Sequence, residues 1–141
     1  MLSGGISDWR VMVRIVIAKG PEGRWSSVAC SGHAEFSDEE HGGDIVCAAV
    51  SALTGYLGLT VSEVLGFPQA VGAEDGWFFF RRPSDLDLAG QAVLDTLLEG
   101  WVRSVRALEE NYSGWVKVEQ TLAGEIPLAF AGEDDEASRS H

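Results

Sequence analysis

Basic residues are scarce in this chain: ten Lys and Arg stand against 22 Asp and Glu, a formal charge of −12. So negative a surface repels phosphate backbones and anionic bilayers, so neither nucleic acid nor membrane is expected as a direct partner. A basic protein or peptide suits it. Cysteines are as few. Cys30 and Cys47 cannot build a disulfide framework, and both are expected as thiols in a reducing cytoplasm. No apolar run in the sequence is read as reaching membrane-spanning length, and no signal peptide precedes the first strand-like run. Internal repeats are absent, which excludes a solenoid.

What is present is ordinary globular material. With 45% hydrophobic and 23% charged residues over 141 positions, the chain fits one domain with a real core. The expected organisation is a polar lead-in over 1–8, a domain over 9–120, and an extension over 121–141 that ends in an acidic tail, expected to be disordered. The β-branched run from Val11 to Ala18 predicts a first strand, the turn residues Lys19-Gly20-Pro21-Glu22-Gly23 follow, and Trp25 to Gly32 predicts an antiparallel second strand. A helix is expected from Ile45, with Ile45, Val46, Ala49, Val50, Leu53 and Leu57 on its apolar face. Gly55 and Gly58 weaken its second half, and Thr60 with Glu63 offers a cap for a fresh short helix. Trp77-Phe78-Phe79-Phe80 reads as a third strand. Ser84 with Asp87 resembles a capping box before the longest helical run, Asp85 to Tyr112. There Gly100 is expected at a close contact. Trp115 to Glu119 alternates as a fourth strand. The sum is an α+β fold in two layers: two helices packed on one face of a four-stranded mixed sheet, in the order strand-strand-helix-strand-helix-strand. Five tryptophans and six phenylalanines exceed what such a core hides, which points to a subunit contact.

One stretch carries chemistry. Gly32-His33-Ala34 ends the second strand, and Asp44-Ile45-Val46-Cys47-Ala48-Ala49-Val50-Ser51 opens the first helix. With Asp44 as N-cap, Cys47 is the third helical residue. The positive end of the helix dipole then favours its thiolate. His33, brought back by the acidic loop between the blocks, is the base within reach, and the two form a Cys–His pair. Alone, Cys47 reads as a buried helix cysteine and His33 as a strand-end histidine; together at a capped helix start they read as a site. Strand alternation sends Cys30 and His33 to opposite faces, which makes Cys30 a structural residue. A metal site from Cys30, His33, His41 and Cys47 matches no standard zinc spacing, so no metal and no other cofactor is expected.

The two blocks together resemble the signature of the bacterial ribosomal-processing cysteine proteases (Prp). The resemblance implies a cysteine endopeptidase that removes an N-terminal extension from a large-subunit ribosomal protein and acts as a homodimer. In that reading Cys47 is the nucleophile and His33 the base. Val46 and Cys47 offer backbone oxyanion donors, and Gly32, Asp44 and Ser51 support them; Asp44 orienting His33 is the alternative to capping. The loop between Ala34 and Asp44 is longer and more acidic than the family's. Its Glu35, Asp38, Glu39 and Glu40 are expected at the cleft mouth, steering a basic substrate, with Gly32 and Gly42-Gly43 as flexible ends. Two other readings stand beside this one: a non-catalytic dimeric adaptor for a basic ribosomal partner, and a thiol redox sensor.

Overall fold

Val13–Lys19 (β1) and Trp25–Ser31 (β2) pair antiparallel across a tight turn, and both strands are buried along nearly their whole length. The computed structural model describes residues 13–32, 41–74 and 76–122, with 41–44 described by backbone alone. Continuous burial is what a β-branched run predicts for central strands covered on both faces. The helix Leu88–Asn111 (α2) leads into Val116–Leu122 (β5), which lies parallel to β1. Trp77–Arg81 (β4) flanks β2 on the other side, and Val71–Glu74 (β3) pairs with β4. The sheet order is β3-β4-β2-β1-β5.

The sheet has five strands, not four. β3 reads Val-Gly-Ala-Glu, too short and too poor in large apolar residues to announce itself, and it is held by main-chain pairing to the aromatic β4. β5 runs to Leu122, past the domain boundary expected at 120.

Both helices lie on one face. Val13, Ile15 and Ile17 of β1, Val28 and Cys30 of β2 and Phe78 and Phe80 of β4 meet Val46, Val50, Leu57 and Val61 from one helix and Leu94, Leu98, Trp101, Val102 and Val105 from the other. Each fully buried side chain of this size contributes about 1.5–3 kcal/mol. On the opposite face Val16 and Ala29 form a small cluster with Trp77 against it.

The first helix, His41–Leu59 (α1), starts earlier than expected and runs straight through Gly55 and Gly58. It then widens into a π-helical turn, Thr60–Val64, in which Leu59 remains helical and no side chain caps. The Thr60–Glu63 cap is therefore not made. Burial of Leu57 and Val61 across the junction keeps the chain helical where local signals favour a break. Gly58 is the tight position: a Cβ there would meet Phe78 at 3.3 Å and Val71 at 3.4 Å. The segment Ile45–Val64 is apolar and long enough to cross a membrane by composition, contrary to the sequence reading. Its Val46, Val50, Leu57 and Val61 nevertheless belong to the core. Trp101 ties the two helices, its indole N–H donating to the Leu53 carbonyl at 2.8 Å.

α2 starts at Leu88 rather than Asp85, because Asp87 is itself the cap and accepts from the Gly90 N–H at 2.8 Å. Arg82 anchors the approach to it, donating to the Trp25 carbonyl and pairing with Asp95 at 2.8 Å. A Cβ at Gly100 would meet nothing within 4 Å among the described residues, which do not make the close contact expected there. Gly100→Ala should therefore raise stability by about 0.5–1 kcal/mol, seen as a higher urea midpoint at unchanged m. A destabilised variant would mean that an added methyl group meets an obstacle.

Candidate active site

Going round α1 at 100° per residue, three faces follow one another. Val46, Val50, Leu57 and Val61 enter the core. Cys47, Ser51, Thr54, Gly55, Gly58 and Ser62 border a groove, and Ile45, Ala48, Ala52 and Tyr56 face outward. The groove holds about 490 Å³, within the range of ligand sites. Across from the helix its wall is Val71, Ala73, Glu74, Gly76, Trp77 and Phe78 from β3 and β4, and Val13, Cys30 and Ser31 close one end. Glu74 is the only charged residue among the described lining.

Cys47 is half-buried at this groove, with Ser51 one helical turn beyond it on the same wall. Thr54 turns its hydroxyl onto the Val50 carbonyl at 3.0 Å, so that Ser51 and Ser62 are the other hydroxyls on this wall. Gly32 leaves β2 with φ +83°, a left-handed conformation that glycine adopts without a Cβ clash, and its N–H donates to the Gly76 carbonyl at 3.1 Å. The strand alternation that separated Cys30 from His33 thus stops at Ser31. His33, together with Glu35, Asp38, Glu39 and Glu40, lies outside the described residues.

The helix start alters the electrostatic argument. Asp44 is the fourth residue of α1 and not its N-cap, and Cys47 is the seventh. The dipole acts mainly within the first turn, so it reaches Cys47 weakly. The amides of Val46 and Cys47 lie past the four unpaired ones of a helix beginning at His41. As oxyanion donors they would have to leave the helical ladder. Gly42 and Gly43 are helical too, which removes the hinge expected at that end of the loop.

Cys30 lines the same groove, contrary to its expected separation from the site, but as part of its floor. It is 3% exposed within the core, paired in register with Phe78, and burial pushes its thiol up to about 12. A thiol held there stays protonated and inert. No simple sequence signal marks the groove itself. It depends on β3, the strand the sequence hides, and on the small residues at Ser51, Gly55 and Gly58.

The family profile described as cysteine protease Prp covers residues 12–117. The chain belongs to the Prp cysteine protease family. The ribosomal processing cysteine protease Prp of Bacillus subtilis is 30% identical over 109 residues, which span 76% of this chain and 96% of that protein. Among solved structures, SMU.848 from Streptococcus mutans superposes with a TM-score of 0.65 at 23% identity, covering 79% of this chain and 98% of that one. The essential ribosomal processing protease Prp of S. aureus, in complex with a substrate peptide, gives 0.61 at 23% identity, over 77% of this chain and 99% of that one. The protein is thus a cysteine protease with the α+β Prp fold.

The contrast between the thiols is directly measurable. Iodoacetamide at pH 8, read by peptide mass, should label Cys47 on the native protein and leave Cys30 unmodified until the chain is unfolded. Equal native labelling of both would contradict the assignment of Cys30 to the groove floor.

Proposed function

We propose that this protease removes an N-terminal extension from a large-subunit ribosomal protein, with Cys47 as nucleophile and His33 as its proton carrier. The observation that carries the reading is that a cysteine protease with two cysteines has one buried and held protonated, and the other open to a groove. The Prp proteins of Bacillus subtilis and S. aureus are named for ribosomal processing, which supplies the substrate class.

In this reaction His33 takes the Cys47 proton and the thiolate adds to the scissile carbonyl carbon. The C–N bond then breaks as His33 returns the proton to the leaving amine. Water, deprotonated by the same histidine, attacks the thioester, releases the new carboxylate and restores the thiol. Ser51 borders the substrate beside Cys47. Gly32 sets the direction in which the chain leaves β2 toward His33, and Asp44 supports the pair from the first turn of α1. The reducing cytoplasm keeps Cys47 as a thiol, and the −12 charge draws a basic ribosomal protein toward the groove.

The test is incubation of the purified protein with the extended ribosomal protein of the same genome. Mass spectrometry should find a single cut between extension and body. Cys47→Ala should abolish it, and His33→Ala should lower kcat by at least about 10²-fold. An uncut substrate, or cutting that survives Cys47→Ala, overturns the reading.

The protein acts as a homodimer, and the outward face of α1 is the surface that suits one. From Ile45 to Ser62 there is no charged residue, and Ile45 and Tyr56 are each more than half exposed. Two copies at −12 repel, so they meet best through an uncharged face. Sedimentation should find a dimer for the wild type and a monomer for Tyr56→Glu with unchanged circular dichroism. A Tyr56→Glu dimer would place the contact elsewhere.

A further inference from the structure

We propose that the substrate peptide binds as a sixth strand on the open edge of β3, so that its main chain, more than its side chains, holds it beside Cys47. This rests on the protease reading and adds the mode of recognition. The two edges of the sheet are built differently. Along β5, α2 covers the outer edge: the Glu109 carboxylate accepts from the Val118 N–H at 3.1 Å, and Arg106 donates to the Gln120 side chain at 2.6 Å. Lys117 and Glu119 add charge to that strand, the usual protection against unwanted pairing.

Among the described residues β3 is less protected, with Glu74 its one charge. It ends the sheet, pairs with β4 alone, and among the described residues no side chain bonds to its main chain. Gly72, Ala73 and Glu74 are exposed, and two of these three side chains are no larger than a methyl group. This edge also belongs to the wall of the groove that holds Cys47. A strand laid along it would point alternate side chains to the face shared by Val71 and Ala73, into the groove, and the others away. The opposite wall leaves space for them at Ser51 and Gly55, and among the described residues it offers short hydroxyls but no charged side chain to grip a peptide. Backbone donors and acceptors on β3 fill that need.

The test leaves the protein's fold untouched. Peptides spanning the extension–body junction of the ribosomal protein, fluorescein-labelled and N-methylated at one amide each, are titrated by anisotropy against Cys47→Ala. In an added strand only every second amide points at the edge. Methylation at alternate positions should therefore weaken binding by about ten-fold, the size of one lost hydrogen bond, and at the intervening positions by less than about two-fold. A flat profile, or sensitivity at consecutive positions, overturns strand addition. If the wild type cuts the unmethylated peptide and the profile is flat, only the binding mode is wrong. If the peptide is neither bound nor cut, the protease reading fails and this inference falls with it.

Discussion

The structure depends on one helix that must satisfy three neighbours at once. α1 carries no charge over its last fifteen residues: its first face is core, its second borders a groove, and its third looks outward as an uncharged surface. Gly58 lets it approach the sheet at Phe78 and Val71, and Gly55 leaves the groove unfilled. The helix is apolar enough all round to resemble a membrane span, though only 28% of that segment is buried. An apolar helix of this kind is stable when packing holds it in register, and here the Trp101–Leu53 hydrogen bond and the Val46-Val50-Leu57-Val61 stripe do so. The position of Cys47 follows from these contacts more than from the end of the helix.

That shift changes where reactivity is to be sought. A cysteine in the first turn draws on the helix dipole; one seven residues in depends on local partners. The groove supplies a half-exposed thiol beside water, and the fold withholds the same from Cys30, whose burial raises the cost of ionisation. The fold thus separates its two thiols as much by suppressing one as by exposing the other.

Periodicity made much of this legible. β1, β2, β4, α2 and β5 announce themselves because their apolar residues recur at the period of the element, and the aromatic run Trp77–Phe80 anchors β4 in spite of having no polar alternation. Cys30 is a packing residue as expected, but it lines the groove instead of standing apart from it. Alternation set it only opposite His33, and Gly32 at positive φ ends that alternation before His33. β3 was illegible because its stability is not its own: Val71-Gly72-Ala73-Glu74 has little strand propensity and is held by β4 alone. The start of α1 was misplaced because Asp44 offers a good cap, and two glycines before it read as loop. Ile45, placed on the apolar core face by spacing, is 51% exposed because the core lies one residue further round the helix.

The hidden strand has a consequence for specificity. A sheet that ended at β4 would present Trp77 and Phe79 at its edge, side chains large enough to read a substrate by shape. Adding β3 moves those rings one strand inward and replaces them at the edge with glycine and alanine. A substrate strand added to such an edge would be read for extension and length rather than bulk, since main-chain pairing is nearly blind to side-chain identity. Selectivity then falls to the residues that drop into the groove between β3 and α1. There the apolar wall of Phe78 and Val71 meets, among the described residues, a single carboxylate at Glu74. An unstructured segment can take up an extended form at little cost, whereas a folded body cannot enter an edge of this kind. If the substrate pairs with β3 as proposed, the architecture would discriminate first by conformation and only then by sequence, which is the order that cutting a flexible leader from a compact protein would require.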